Sequence, residues 1–221
     1  MPTDLDLVTI TDPISPASEA YRTLRLNLQY ASLDAPLHTL LITSASPEEG
    51  KSTTLANLAV TMAQAEQRII MVDCDLRRPH LHELFRQHND VGLTTMMLED
   101  EALSDPPLLE TPVPGLRLLA SGPLPPRPAD LLGSQRMERV LERLTAEADM
   151  VLLDAPPLMT VTDAVVLATK VDGVLLVVSA GTTKREHAQR AVERLRKVNA
   201  HLVGSVLNNA PVDATLHGYY R

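Results

Sequence analysis

Tryptophan is absent from this chain, and phenylalanine and cysteine occur once each, at Phe85 and Cys74. A single cysteine excludes an internal disulfide and fits a reducing cytosol. With four tyrosines as the only other aromatics, the core must be built from Leu, Val, Ile, Met and Ala. Positive charge is also in deficit. Twenty Lys and Arg face 28 Asp and Glu, a formal net charge of −8 that argues against a non-specific nucleic-acid binder. Apolar runs such as Val174 to Val178 are far too short to span a bilayer. The first residues lack a basic stretch followed by an apolar one, so no secretory signal is expected. His80, His82 and His88 are close in sequence, but i, i+2 spacing does not put His80 and His82 on one helix face, and no zinc site is expected.

What is present centres on the stretch Thr39 to Leu58. Leu40, Leu41 and Ile42 form a short apolar run of the kind a buried parallel strand needs. A loop follows from Ser44 to Gly50, and Lys51-Ser52-Thr53 opens a helical pattern with Leu55, Leu58 and Met62 on one side. Strand, loop, Gly-Lys-Ser and helix is the layout of a phosphate-binding loop, although Ala45 stands where the first glycine of the pattern is usual. The backbone N–H groups at such a helix start have no intrahelical acceptor, and the helix dipole favours an anion there. Lys51 suits the outer phosphates, and the Ser52 hydroxyl suits Mg²⁺.

Further buried strands are expected at 68–72, 116–120, 150–153, 174–178 and 202–207, with helical segments between them. This alternation predicts an α/β fold: a mostly parallel sheet covered by helices on both faces. Residues 1–14 read as an extended arm, and Ser15-Pro16 as the start of a helix running to about Tyr30. Glu19, Arg22 and Arg25 share one broad face of that helix, suited to local ion pairs or to docking a neighbouring subunit. Residues 89–115 look loop-like apart from a helical patch at 93–98, and Thr182-Thr183 is expected to open a charged amphipathic helix. Nothing after Pro211 looks packed, so residues 211–221 are expected to form a mobile tail.

Two strand ends carry acid. The strand at 68–72 runs into Asp73-Cys74-Asp75-Leu76-Arg77, whose two carboxylates, alternating across Cys74, are expected on one side of the chain. The strand at 150–153 ends in Asp154, placed to hold Mg²⁺ directly or through water.

Ser44-Ala45-Ser46-Pro47-Glu48-Glu49-Gly50-Lys51-Ser52, Val72-Asp73-Cys74-Asp75-Leu76-Arg77 and Leu152-Leu153-Asp154-Ala155-Pro156-Pro157 together resemble the Walker A, A′ and B motifs of the bacterial protein-tyrosine kinases of capsule and exopolysaccharide synthesis. Glu19-x-x-Arg22-x-x-Arg25 looks like that family's subunit-interface motif, Gly122-Pro123-x-Pro125-Pro126-x-Pro128 like its proline loop, and Tyr219-Tyr220 like a remnant of its tyrosine cluster. The resemblance implies a P-loop kinase domain over residues 15–210, using ATP and Mg²⁺. It implies amides from Glu48 to Thr53 and the Lys51 ammonium on the phosphates, with Ser52, Asp154, Asp73 and Asp75 around the metal. Asp73 or Asp75 would be the base, Arg77 would steady the developing charge, and Asn208 would touch adenine. Tyr219 and Tyr220 would be phosphorylated between neighbours in a ring-like homo-oligomer. A separate membrane adaptor, the chain-length regulator of polysaccharide export, would hold the cytoplasmic kinase at the inner face of the membrane.

Two departures from the family pattern stand out. Glu48 occupies a place where the family often has glycine, adding charge near phosphates, and the tyrosine cluster is short. The competing reading is a partition- or septum-site-like switch ATPase, which would carry a lysine five residues before Lys51, where this chain has Ser46.

Overall fold

The computed structural model describes residues 5–31 and 36–211. Tyr219 and Tyr220 lie outside the described residues. In chain order come α1 (Val8–Thr11), α2 (Pro16–Ala31), β1 (Thr39–Ser44), α3 (Lys51–Ala63) and β2 (Ile69–Asp73). They are followed by α4 (Leu81–Leu84), α5 (Leu93–Leu98), α6 (Asp100–Ser104), β3 (Leu109–Glu110) and β4 (Leu116–Leu119). The rest comprises α7 (Pro128–Gly133), α8 (Gln135–Thr145), β5 (Met150–Asp154), α9 (Asp163–Leu167), β6 (Gly173–Ser179), α10 (Arg185–Lys197) and β7 (Leu202–Asn208).

The strands form a seven-stranded sheet in the order β3-β4-β2-β5-β1-β6-β7, parallel except for the β3–β4 pair. Every residue of β1 and β2 is buried, because a strand covered on both faces has no side turned to water. The apolar residues divide between two cores. Leu41 joins Val72, Met137, Leu144, Leu167 and Leu195 on one face, while Leu40 and Ile42 join Leu28, Leu55, Leu58, Ile69 and Phe85 on the other. The period-two alternation of β1 sends neighbouring residues to opposite cores, and each fully buried leucine contributes about 1.5–3 kcal/mol of apolar burial.

Register sets the site. Asp154 at the end of β5 is level with Asp73 of β2 on one side and Ile42 of β1 on the other. The three acidic and phosphate-binding segments therefore leave the sheet side by side, at the carboxyl ends where parallel sheets bind ligands.

Four local expectations need correction. The N-terminal arm is not extended throughout. Val8–Thr11 makes a helical turn, Leu5, Leu7 and Thr9 are buried, and Thr9 donates to Asn57 of α3 through its N–H and hydroxyl, at 3.1 and 2.9 Å. Residues 89–115 hold α6 and β3 in addition to the expected α5; a two-residue strand carries no readable periodicity. Helix α10 begins at Arg185 rather than at Thr182-Thr183, because the Thr183 hydroxyl is engaged by Glu49 and by the Ser179 N–H. Asp73 and Asp75 do not face the same way, because β2 ends at Asp73 and the chain then turns.

Candidate active site

Gly50 caps α3 with φ +83°, a left-handed conformation open to glycine at little cost. A Cβ there would lie 2.1 Å from Asn208 Nδ2, so the loop and the end of β7 approach as closely as glycine allows. The first helical hydrogen bond runs from Thr54 N–H to the Gly50 carbonyl at 2.8 Å, which leaves the N–H groups of Lys51, Ser52 and Thr53 at the exposed start of the helix. Glu48 also sits at positive φ, +62°, and its side chain is exposed.

The Lys51 ammonium lies 3.1 Å from both carboxylate oxygens of Asp154, 3.1 Å from Asp75 Oδ2 and 3.2 Å from Ser52 Oγ. Ser52 donates its hydroxyl proton to Asp154 at 2.5 Å. Burial disfavours the charged lysine, but Asp154 and Asp75 outweigh it and hold the Lys51 pKa above its ordinary value. Burial likewise raises Asp154, against the pull of Lys51 and Ser52.

The two candidate bases have different tasks in the fold. Asp73 is fully buried and accepts backbone N–H groups from Asp75, His80 and Leu81 at 3.2, 2.9 and 2.9 Å. Burial, with the neighbouring Asp154 charge, pushes its pKa up to about 7. Asp75 instead lines the cleft of about 330 Å³ formed with Pro47, Glu48, Lys51, Arg78 and Pro157. Arg77, expected at the developing charge, is turned away: its guanidinium pairs with the fully buried Asp163 at 2.8 and 3.0 Å.

Glu49 does not aim its carboxylate at the phosphate cradle. It accepts the Ser46 N–H at 3.0 Å and the Thr183 hydroxyl at 2.5 Å, and its carbonyl accepts Asn208 Nδ2 at 3.0 Å. Ser46 Oγ lies 3.1 Å from His187 Nδ1. The loop is thus fastened to Thr183 ahead of α10, to His187 of α10 and to Asn208 of β7. Thr183, His187 and Asp163 carry no sequence signal that marks them as site residues. Glu19 and Arg22 pair with each other away from the cleft, and Arg22 also donates to the Pro13 carbonyl at 2.7 Å. Arg25 Nε is buried without a hydrogen-bond partner among the described residues.

Ser52, Asp75 and Asp154 offer hard oxygen donors, the set that suits Mg²⁺. Among the described residues no cluster of three or more His, Cys, Asp or Glu forms a protein-only metal cage. Mg²⁺ at this site would be held by one or two carboxylates and completed by phosphates and water.

Fold and cleft together define a nucleotide-binding protein of the phosphate-loop class. Residues 40–212 match the CobQ/CobB/MinD/ParA nucleotide-binding domain family. The chain is 40% identical over 216 residues to the tyrosine-protein kinase YwqD of Bacillus subtilis, covering 97% of this chain and 91% of that one. The crystal structure of the chimerical protein CapA2B2 superposes with a TM-score of 0.88 at 34% identity, over 93% of this chain and 90% of that one. The kinase domain of Escherichia coli tyrosine kinase ETK gives 0.88 at 30%, over 96% and 83%. The chain belongs to the bacterial tyrosine-protein kinases, a branch of this nucleotide-binding family.

Proposed function

We propose that this kinase moves the terminal phosphoryl group of ATP onto tyrosine hydroxyls, among them Tyr219 and Tyr220 of a neighbouring copy, in the service of capsular or exopolysaccharide synthesis and export. The observation that carries the reading is Lys51, held 3.1 Å from Asp75 and Asp154 at the start of a phosphate-binding helix. Amides from Glu48 to Thr53 and the Lys51 ammonium bind the phosphates, and Ser52, Asp154 and Asp75 hold magnesium directly or through water. Magnesium, when bound, neutralises phosphate charge. Asp75 is the base for the tyrosine proton. It faces the cleft, and geometry takes precedence over pKa in choosing a base. Asp73, occupied by three backbone N–H groups, positions the loop that carries Asp75. Asn208, whose side chain donates to the phosphate loop from the end of β7, is the residue assigned to the nucleotide base.

Copies associate through α2, where Glu19, Arg22 and Arg25 lie near the exposed Ile14, Leu26 and Tyr30. A ring-like homo-oligomer at the cytoplasmic face of the membrane, held by an adaptor of polysaccharide export, would bring each tail to the next cleft. No helix among the described residues is long and apolar enough to cross a membrane. The switch-ATPase reading is not favoured: Ser46 replaces the lysine it needs and is bound to Glu49 and His187.

The test is phosphotyrosine formation on purified protein with ATP and Mg²⁺, with and without a peptide from a candidate adaptor's cytoplasmic tail. Signal is expected from the wild type and is expected to disappear in Lys51→Met and in the double variant Tyr219→Phe/Tyr220→Phe. ATP hydrolysis without phosphotyrosine, adaptor present, would overturn the reading.

A further inference from the structure

Arg77 and Arg78 are adjacent, but their side chains have different fates. Arg77 is pinned to Asp163. Arg78 is exposed, lines the cleft with Lys51, Ser52 and Asp75, and has no side-chain partner among the described residues. Its backbone is fixed. The Arg78 N–H donates to Asp75 Oδ1 at 3.0 Å, Pro79 confines the residue to extended conformations, and the next two N–H groups are held by Asp73. A free guanidinium therefore stands on a rigid base at the mouth of the phosphate cleft.

The charge balance of the cleft calls for such a group. The lining residues carry two anions, Glu48 and Asp75, against the cations Lys51 and Arg78, with His80 already paired to Glu83 at 2.7 Å. Lys51 is matched by Asp75 and, behind it, Asp154. Phosphoryl transfer spreads negative charge over three equatorial oxygens and is accelerated mainly by cations positioned on them. Of the cleft-lining cations, Arg78 alone has no carboxylate partner among the described residues, and its planar fork suits phosphate oxygens.

We propose that Arg78 is a catalytic residue of the phosphoryl transfer, holding the non-bridging oxygens of the terminal phosphate in flight. In that step the bond from the terminal phosphorus to the bridging oxygen of ADP breaks. The bond from the tyrosine oxygen to that phosphorus forms, and the tyrosine proton passes to Asp75. Arg78 exchanges no proton. The proposal rests on the kinase reading above and goes beyond it in naming the cation.

The experiment compares wild type, Arg78→Ala and Arg78→Lys as full chains. One readout is calorimetric affinity for Mg·ADP with and without aluminium fluoride, a mimic of the transferring group. The other is kcat and KM for phosphorylation of Lys51→Met chains as acceptor. Arg78→Ala is expected to lose ~10²–10³-fold in kcat. It should keep Mg·ADP affinity within about threefold, and lose at least about tenfold of the affinity that aluminium fluoride adds. Arg78→Lys should fall between, and thermal midpoints should stay together. An unchanged kcat in Arg78→Ala, or a change confined to the KM for acceptor chains, overturns the proposal and leaves the kinase reading intact. A wild type that forms no phosphotyrosine sinks the kinase reading instead; the fluoride-dependent affinity still judges Arg78.

Discussion

Arg77 holds Asp163 with both arms of its guanidinium, Nε to Oδ2 at 2.8 Å and Nη2 to Oδ1 at 3.0 Å. The arginine is 43% exposed and the aspartate not at all, so the pair ties the loop after β2 to the first turn of α9. Arg77→Ala would leave a buried carboxylate with its main partner gone. A loss of about 1.5–3 kcal/mol is expected in urea unfolding, the range for hydrogen bonds to charged groups. In Arg77→Ala/Asp163→Ala the losses should be less than additive, because neither charge is left alone.

The clamp from Glu49 to Thr183 gives a second prediction. Thr183→Val keeps the shape but removes a hydroxyl that donates to Glu49 and accepts from the Ser179 N–H. Leaving such buried groups unpaired costs about 1–3 kcal/mol. Beyond that loss, KM for ATP should rise several-fold as the loop loosens, while Thr183→Ser restores both. Unchanged KM in Thr183→Val would show that the clamp does not shape the loop.

Glu48 combines an unfavourable backbone angle with an unfavourable charge. Its φ of +62° is glycine territory, and its side chain lines the cleft. Glu48→Gly should tighten ATP by up to about fivefold at low salt, the effect of one unit charge at ~4 Å in water. The gain should shrink toward nothing near ~1 M salt. Relief of strain and the added freedom of the unfolded glycine roughly cancel, so stability should barely move.

Asp73 sets a pH dependence. Its pKa rises from 3.8 in the unfolded chain to about 7 in the fold, so between these values the folded state holds a proton that the unfolded state has lost. This contribution to stability is complete below about 3.8 and disappears as pH rises through about 7. Urea midpoints of nucleotide- and magnesium-free protein should therefore fall from pH 5 to pH 8. The fall should be smaller in Asp73→Asn, which cannot titrate. Equal falls in both proteins would remove Asp73 as the cause.

Much of this architecture is legible in the sequence because buried parallel strands are short apolar runs, and the acids and glycines that end them stand out. Lys51, Ser52 and Asp154 could be picked out that way, and they meet in the structure. What could not be read depends on how the chain turns and on which distant segments face each other. Two carboxylates two residues apart look equivalent until the strand stops at Asp73 and sends Asp75 to Lys51. Arg77 was the natural choice for a charge-stabilising residue, yet its partner Asp163 lies beyond Asp154 in the chain, and no local pattern links them. The N-terminal turn was hidden for a related reason: its burial depends on Asn57 of α3.

The position of β1 between β5 and β6 has a consequence for synthesis of the protein. The phosphate loop is translated before both strands that flank its β1, which lie at Met150–Asp154 and Gly173–Ser179. Until β5 and β6 leave the ribosome, β1, with its Leu40-Leu41-Ile42 run, has two unpaired edges, the kind of segment that invites aggregation. Asp154, which meets Lys51 and Ser52, arrives with the same late strand. A nascent chain thus lacks Asp154, and with it part of the nucleotide site, until β5 has been made. ATP then favours chains in which that strand is in place over those in which it is not.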